Sequence, residues 1–573
     1  MQAVTRIAAL AALALMAGCS SPTPCNTVRD CAAGERCANK QCQSIGSSPG
    51  ALGDSCNTDQ DCGAGLGCNP LAIGFPQGYC TANCATASCT AGVCTALSSG
   101  SSVCTVSCAA DADCRQGYVC CPTASNTCLP PGACTPAACT RPVAASALPS
   151  AQVVSLGTRK VGDAVTFDVP PSTGSITILH QARIAGLQIA ANGQTFDNSA
   201  VPQSLIKPDG TEAYHDPSGV ASSADGGTDP SGLFAMFGGG QPSTAAFTIP
   251  NTTASLNAGL PAGTWKFVVN DYANECAGGG CDDGGTNADT YDVSVLLRPL
   301  PAGNNLDVNF YIVGTVNDNS GQPFTAASAA NDPSAKRMVQ TFTSIYNAAS
   351  IHVRTVTFYD VSGAAQAEFG TNVSADASGP CDLLDQMFTL SGAHPANTIN
   401  LFLVQSIRQS ASGTQGGTVV GVDGSIPGPT TLSGTVHSGA AVSLADLFAG
   451  PAFCQAGMDL GSCGADRVAY IAAHETGHFL GMFHTTEMEG ADFDPLTDTP
   501  RCPCIPCASA SDQPKCGTSQ ATGQALVTAQ RCATTSCGGG DNLMFWLLDD
   551  AVSLGKLSAM QSQVMRLNPA VQP

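Results

Sequence analysis

The 573-residue chain has little charge, few aromatic side chains and little histidine. Asp, Glu, Lys and Arg make up 11% of it and aromatic residues 5%, with two tryptophans and eight histidines. The 22 Lys and Arg are outnumbered by 43 Asp and Glu, so the formal net charge is −21. An acidic chain without a basic cluster lacks the electrostatic footprint of nucleic-acid binding. We therefore expect no nucleic-acid partner.

Apolar runs long enough to span a bilayer are also missing. The run at residues 7–17 follows a single basic residue and is typical of a signal sequence, which predicts export with residues 1–18 as signal peptide. The adjoining "LMAGC" resembles a bacterial lipobox, with Met16 where leucine is usual, and predicts lipidation of Cys19. We expect a lipoprotein of the bacterial outer membrane or cell surface, attached by this anchor alone. A secreted protein without the anchor is the alternative.

Cysteine, in contrast, is abundant, with 31 residues in the chain and 19 of them between residues 25 and 139. Five residues separate successive cysteines in three triplets: Cys25, Cys31, Cys37; Cys56, Cys62, Cys68; and Cys108, Cys114, Cys120. This internal repeat predicts small disulfide-stapled modules over residues 19–139, because such modules bury too little apolar area to fold unaided. The paired CxxC spacing of zinc ribbons is absent from this region.

Composition changes twice more along the chain. A Pro/Ala/Ser-rich linker is predicted at 140–150, and residues 151–303 alternate short β-rich runs with turns, which predicts an antiparallel β-sandwich accessory domain. From residue 304 to 573 the order strand, helix, strand, helix, strand predicts an α/β (α+β) domain, with Asp332 and Pro333 starting the first helix. "GGTVVGVDGSIPGP" predicts an edge strand ended by prolines. The fold class is therefore multidomain.

Three of the eight histidines fall within "AAHETGHFLGMFHTTE". A helix with Asp466 as its N-cap would place His474 and His478 on one face, with Glu475 beside them. Gly481 would end the helix and let the chain return His484 to a third position. Three protein ligands leave one position of a tetrahedral zinc ion open, which is typical of a catalytic site.

"HETGHFLGMFH" resembles the metzincin metalloproteases, and the flanking "DTP" at 498–500, "GGDNLMFW" and "LSAMQSQVMRLNP" resemble the pappalysin family. The resemblance implies one catalytic zinc on His474, His478 and His484, with Met544 as the Met-turn residue beneath it. It implies peptide-bond hydrolysis in a protein or peptide substrate by zinc-activated water, with Glu475 as general base. The substrate would extend along the predicted edge strand. Trp546 stands where the family usually has tyrosine, so its N–H is the candidate for transition-state support.

Other features leave alternatives open. Asp492, Asp494 and Asp498 either bind calcium or are solvated turn residues. The crowded cysteines after His484, which include Cys502 and Cys532, favour disulfides over a metal site in an exported chain. Because of Trp546, a catalytically impaired surface adhesion protein that retains the metzincin fold is the rival function. The sequence does not predict an oligomeric state.

Overall fold

A computed structural model describes most of the chain from residue 145 onward and pieces of the region before it. Up to residue 150 it describes 35–38, 41–44 and 49–150, with gaps at 57, 70–74, 76–77, 85–88, 90–91, 97–101, 111–112, 116–117, 122–125, 130–142 and 144. From 151 to 573 the gaps are 161, 184–198, 216–240, 243, 272–289, 372, 375–382, 395–396, 409–418, 450–462, 489, 491, 503–516, 519–524, 535–537 and 549–554. The predicted signal peptide and Cys19 lie outside the described residues. No helix in the described ranges could cross a membrane.

The N-terminal region is a series of disulfide-linked β-hairpins. Its strands are β1 (Glu35–Ala38), β2 (Gln41–Ser44), β3 (Gly67–Asn69), β4 (Tyr79–Thr81), β5 (Val93–Ala96), β6 (Ser102–Thr105), β7 (Val119–Cys121) and β8 (Thr127–Leu129), paired antiparallel in chain order. Its disulfides are Cys56–Cys68, Cys62–Cys80, Cys84–Cys94, Cys89–Cys104, Cys108–Cys120 and Cys114–Cys128. With Cys121 left aside, three successive units thus share one connectivity, in which the first cysteine bonds the third and the second bonds the fourth. The sequence prediction missed the middle unit because its cysteines are more closely spaced.

Residues 151–300 form the predicted antiparallel β-sandwich. Its elements are β9 (Gln152–Lys160), β10 (Ala164–Val169), β11 (Thr173–Arg183), β12 (Ser199–Ile206), β13 (Glu212–His215), β14 (Gln241–Pro242), β15 (Thr244–Ile249), α1 (Thr253–Ala258), β16 (Gly263–Asp271) and β17 (Thr290–Pro299). One sheet has the order β10-β16-β12-β13, with β14 on β12, and the other β15-β11-β17-β9. Large side chains from both sheets, such as Trp265 and Tyr291, share one core. Alternating burial on β10 is what the sequence pattern predicts.

The C-terminal unit is built on a mixed sheet. Its strands are β18 (Asn305–Ile312), β19 (His352–Asp360), β20 (Val373–Ser374), β21 (Ile399–Val404), β22 (Ile407–Arg408), β23 (Gly421–Asp423), β24 (Ala440–Ser443), β25 (Gly517–Thr518) and β26 (Ala525–Leu526). Its helices are α2 (Ala326–Ala329), α3 (Pro333–Ala348), α4 (Gly363–Phe369), α5 (Leu383–Phe388), α6 (Gly464–Phe479), α7 (Ala529–Thr534) and α8 (Ala559–Leu567). The main sheet runs β19-β18-β21-β24-β23, with four parallel strands and β23 antiparallel at the edge. The predicted strands and helices of this unit are confirmed, including the edge strand.

Local sequence signals place the helix ends correctly at two points. Asp332 accepts a hydrogen bond from the Ala335 N–H at 2.8 Å, with Pro333 at the first helical position of α3. Ser558 and a glutamine three residues later form the capping box that starts α8. Both motifs need only neighbouring residues, so sequence alone predicts them.

Helices cover both faces of the main sheet. On one face α3 and α6 pack on strand residues such as Leu306, Val308 and Leu401, and on the other face α5 packs on Tyr311 and neighbouring apolar residues. Helix α6 contacts α3, β24 and the edge strand β23. The helix that carries the histidine motif therefore lies beside the open edge of the sheet.

Candidate metal centre

Helix α6 begins three residues earlier than the sequence suggests. Its N-cap is Cys463, whose Sγ accepts from the Asp466 N–H at 3.4 Å, so the prediction of Asp466 as N-cap is wrong. Asp466 lies in the first turn, and its buried carboxylate accepts two hydrogen bonds from Arg337, at 2.7 and 2.8 Å, and one from Thr341. The carboxylate therefore ties α6 to α3 through a bidentate ion pair with Arg337.

The three histidines of the motif converge on one point. His474 and His478 lie one turn apart on α6, which ends at Phe479. Gly481 adopts φ +100°, a conformation that favours glycine, and turns the chain so that His484 returns to the helix. The Nε2 of His478 is 3.1 Å from the Nε2 of each of the other two histidines, and those two atoms are 3.3 Å apart.

The outer nitrogen of each ring has a hydrogen-bond acceptor. Nδ1 of His474 lies 2.7 Å from the Leu543 carbonyl oxygen, and Nδ1 of His478 lies 2.8 Å from that of Met482. Nδ1 of His484 is 2.9 and 3.0 Å from the two carboxylate oxygens of Glu487. Carbonyl and carboxylate oxygens only accept, so the ring proton sits on Nδ1 in each case.

Burial keeps the two rings on the helix, His474 and His478, neutral. It lowers the pKa of His474 to about 3, with His484 nearby adding to the effect, and lowers the pKa of His478 well below its usual value. A neutral ring with its proton on Nδ1 presents a bare lone pair at Nε2. The three Nε2 atoms lie within 3.3 Å of one another, and lone pairs directed to one point at this distance repel unless a cation lies between them.

The donor set and spacing fit zinc. A tetrahedral zinc ion with Zn–N bonds of about 2.0–2.1 Å separates its nitrogen ligands by about 3.3–3.4 Å, close to the separations observed here. Three other metal-sized groups occur within the described ranges, all of cysteines in the N-terminal hairpins. Those cysteines form disulfides, so they offer no thiolate ligands.

Glu475 lies beside the histidines, against the edge strand. The residue is 7% exposed, and burial raises the pKa of its carboxyl to about 8. It fits there because β23 presents a glycine: a β-carbon on Gly421 would lie 2.2 Å from Glu475 Oε1. Asp423 lies two residues further along the same strand. Burial and the charge of Glu475 raise the pKa of its carboxyl well above the usual value. Sequence analysis missed Asp423, because only the packing of β23 on α6 brings the two carboxyl groups together.

Met544 is fully buried against the histidine helix. A β-carbon on Gly477 would lie 2.5 Å from its Sδ, so α6 and the methionine turn touch where α6 has no side chain. Asn542 shapes the turn: its Oδ1 accepts from the Met544 N–H at 2.9 Å, and its side-chain amide bonds Gln561 of α8. This turn also supplies the carbonyl that orients His474.

Trp546 has a structural role that its position in the sequence does not suggest. Its indole N–H donates to the Val527 carbonyl at 2.8 Å, and its ring packs with the Cys502–Cys532 disulfide and Phe545. An indole has one N–H, so no donor is left for a transition state. In the structure the indole N–H of Trp546 is therefore engaged with Val527. The disulfide agrees with the prediction for those two cysteines, and the other cysteines of the loop lie outside the described residues.

The three aspartates proposed for calcium do not form a cluster. Asp498 accepts from the Ser558 hydroxyl and the Met560 N–H, both at 2.8 Å, and so caps α8. Asp494 is buried, accepts from Thr499, and has its pKa raised to about 7 by burial. Together with Asp492 they form no metal-sized group within the part of the chain that the structure describes, so calcium binding by this set is not supported.

Glu487 is the other functional candidate that sequence analysis missed. The only available signal was its place three residues after His484, and in an irregular loop that spacing does not predict a contact.

Comparison with known proteins adds no family. No protein-family model and no curated protein matches the chain. Among solved structures, the protein YxiM from Bacillus subtilis is 11% identical, with 57% of this chain and 92% of that chain covered and a TM-score of 0.13. A family two carbohydrate esterase from Cellvibrio japonicus is also 11% identical, with 45% and 80% covered and a TM-score of 0.11. At such TM-scores neither structure informs the fold or the function of this chain.

Proposed function

We propose that the protein is an exported zinc endopeptidase whose C-terminal unit is a metzincin-like domain of the pappalysin type. One observation carries the proposal: three histidines, each with an acceptor at Nδ1, bring their three Nε2 atoms to one point. His474, His478 and His484 would hold the ion. The numerous disulfides are typical of exported proteins and agree with this assignment.

The chemistry divides between the ion and one carboxyl group. Bound zinc supplies polarisation of the peptide carbonyl and lowers the pKa of a water molecule toward neutrality. Glu475 then takes a proton from the attacking water at a carboxylate oxygen and passes it to the leaving nitrogen as the C–N bond breaks. Its burial favours this role, because a buried carboxylate accepts a proton more readily than an exposed one.

The edge strand is the expected support for the substrate. β23 is the last strand of the main sheet, and within the described residues its outer side pairs with no other strand. A peptide in extended conformation would bond this edge through its main chain. Gly421 and Asp423 lie on this strand, so such a peptide would pass close to Glu475.

The test compares the wild-type protein with Glu475→Gln. We expect the wild type to bind one zinc ion and to cleave unfolded protein substrates, with cleavage lost on chelation and restored by zinc. Glu475→Gln should bind zinc equally well and cleave about 10³-fold more slowly, because it cannot accept the proton. Equal cleavage by the two proteins, or a wild type that binds no zinc, would refute the proposal.

A surface adhesion protein that retains the zinc site is the second candidate. The observation in its favour is Trp546, which replaces the tyrosine of the resembling family and donates its N–H to Val527. A zinc-loaded wild type that cleaves nothing across a broad peptide library would favour this candidate. A lipid anchor at Cys19 is compatible with both functions and stays a prediction from the sequence.

A further inference from the structure

One of the three histidines has a different kind of hydrogen-bond partner from the other two. His474 and His478 lie on α6, and their Nδ1 atoms donate to main-chain carbonyls, which no substitution can remove. His484 lies in the loop beyond the helix, and its Nδ1 contacts the carboxylate of Glu487, at 2.9 Å to one oxygen and 3.0 Å to the other. The ring that the helix does not hold is thus the one that depends on a side chain.

The loop holds Glu487 in place. Its N–H donates to the Asp492 carbonyl at 2.9 Å, and its carbonyl accepts from the Gly490 N–H at 2.9 Å, so the main chain of Glu487 is bonded on both sides. Gly490 adopts φ +67° in this loop. The side chains of His484 and Glu487 are 24% and 19% exposed, so water competes only partly for their contact.

The partner of His484 also differs in charge. The Nδ1 atoms of the three rings contact two neutral carbonyls and one carboxylate. Of these three partners, the carboxylate carries the only formal charge. A carboxylate at the far nitrogen makes the ligating nitrogen more basic and fixes the ring plane. Both effects favour a divalent cation at the three Nε2 atoms.

We propose that Glu487 is a positioning residue that holds His484 as the third ligand and sets the affinity of the site for a divalent cation. This inference rests on the metal-binding part of the proposed function and not on proteolysis. Metal affinity can therefore test it even if the protein cleaves nothing.

The experiment measures the dissociation constant for Zn²⁺ by chelator competition in wild type, Glu487→Ala and Glu487→Gln. Removal of the carboxylate should weaken zinc binding about 10- to 100-fold in Glu487→Ala. Glu487→Gln, which keeps an acceptor oxygen but no charge, should fall between. With Co²⁺ as a second probe, the absorption of the bound ion should change in Glu487→Ala, because His484 is no longer held.

Asp492→Asn is the matched control, since it removes one negative charge from the same loop at an exposed position. It should change zinc affinity less than about twofold if position rather than net charge matters. Wild-type affinity in Glu487→Ala, or an equal loss in Asp492→Asn, would overturn the inference. A wild type that binds no zinc would overturn the proposed function as well, which separates the two failures.

Discussion

At the scale of single residues, the position of Glu475 depends on a residue that has no side chain. Gly421 on β23 faces α6, and a β-carbon there would lie 2.2 Å from Glu475 Oε1 and 2.7 Å from Ile471 Cγ2. Oε1 lies at the end of the flexible Glu475 side chain, so an added β-carbon would displace the carboxyl more readily than the helix. The edge strand thus sets where the proposed base sits.

Gly421→Ala should therefore reduce catalysis and leave zinc binding intact. We expect kcat/KM for peptide cleavage to fall about 10²-fold, because the added methyl moves the carboxylate by the order of an ångström. The measurement is kcat/KM together with zinc content per molecule. Val422→Ala, on the same strand but packed in the core on the other face of the sheet, is the control that should keep its activity. An unchanged kcat/KM in Gly421→Ala would contradict the assigned position of Glu475.

At the scale of one element, strand β11 carries a histidine in the apolar core of the sandwich. His180 is 1% exposed, and among the described residues neither of its ring nitrogens has a hydrogen-bond partner. Its ring meets those of Phe267 and Tyr291 edge to face. Burial without a hydrogen-bond partner lowers the pKa of His180 from 6.5 to about 4. The core around this strand therefore accommodates the neutral ring and disfavours the protonated one.

His180→Leu should make the protein less sensitive to acid. Between pH 6.5 and 4 the unfolded state binds a proton at His180 that the folded state does not, so stability falls as the pH falls through this range. The difference between the pKa values of His180 in the unfolded and the folded state corresponds to about 3 kcal/mol of unfolding free energy. Urea unfolding at pH 7.5 and pH 4 should show a smaller loss in His180→Leu than in wild type, by about that amount. Equal losses in the two proteins would show that His180 is not the acid-sensitive group.

At the scale of the whole molecule, the β-sandwich and the α/β unit both form hydrogen bonds with the C-terminal segment, residues 567–572. From the sandwich, the Ser175 hydroxyl donates to the Leu567 carbonyl at 2.6 Å, and the buried Arg298 donates to the Val571 carbonyl at 2.6 Å. The C-terminal segment also pairs with Asn305 at the start of β18. The sandwich therefore shares hydrogen bonds and a core with the α/β unit, although the sequence suggests only a module ahead of it.

Arg298→Ala should weaken both units together. Removal of the guanidinium leaves buried carbonyls without donors, and we expect a loss of about 3 kcal/mol in unfolding free energy. The control Arg354→Ala breaks an ion pair whose arginine is 51% exposed and should cost less than about 1 kcal/mol. The two tryptophans, Trp265 in the sandwich and Trp546 in the α/β unit, allow urea unfolding of each unit to be followed in single-tryptophan variants. Separate transitions in an otherwise wild-type background would contradict the coupling.

Features that depend on neighbouring residues follow from the sequence alone. Strand alternation, the cap at Asp332, the box at Ser558 and the turn at Gly481 all follow from contacts within a few positions. The spacing of the histidines belongs to the same class, because one helix and one glycine turn bring them together. Local hydrogen bonds and side-chain periodicity decide such features whatever the rest of the chain does.

Long-range packing selects which groups complete the site and which do not. Asp466 serves as an ion-pair partner of Arg337, Asp498 caps a helix 60 residues away, and Trp546 donates to Val527. In each case a strong polar group is satisfied by a partner distant in sequence, and packing alone selects that partner. The contact of Glu475 with Gly421 arises in the same way. A histidine motif therefore predicts ligands, whereas the packing of the edge strand and the loops fixes the surroundings in which those ligands act.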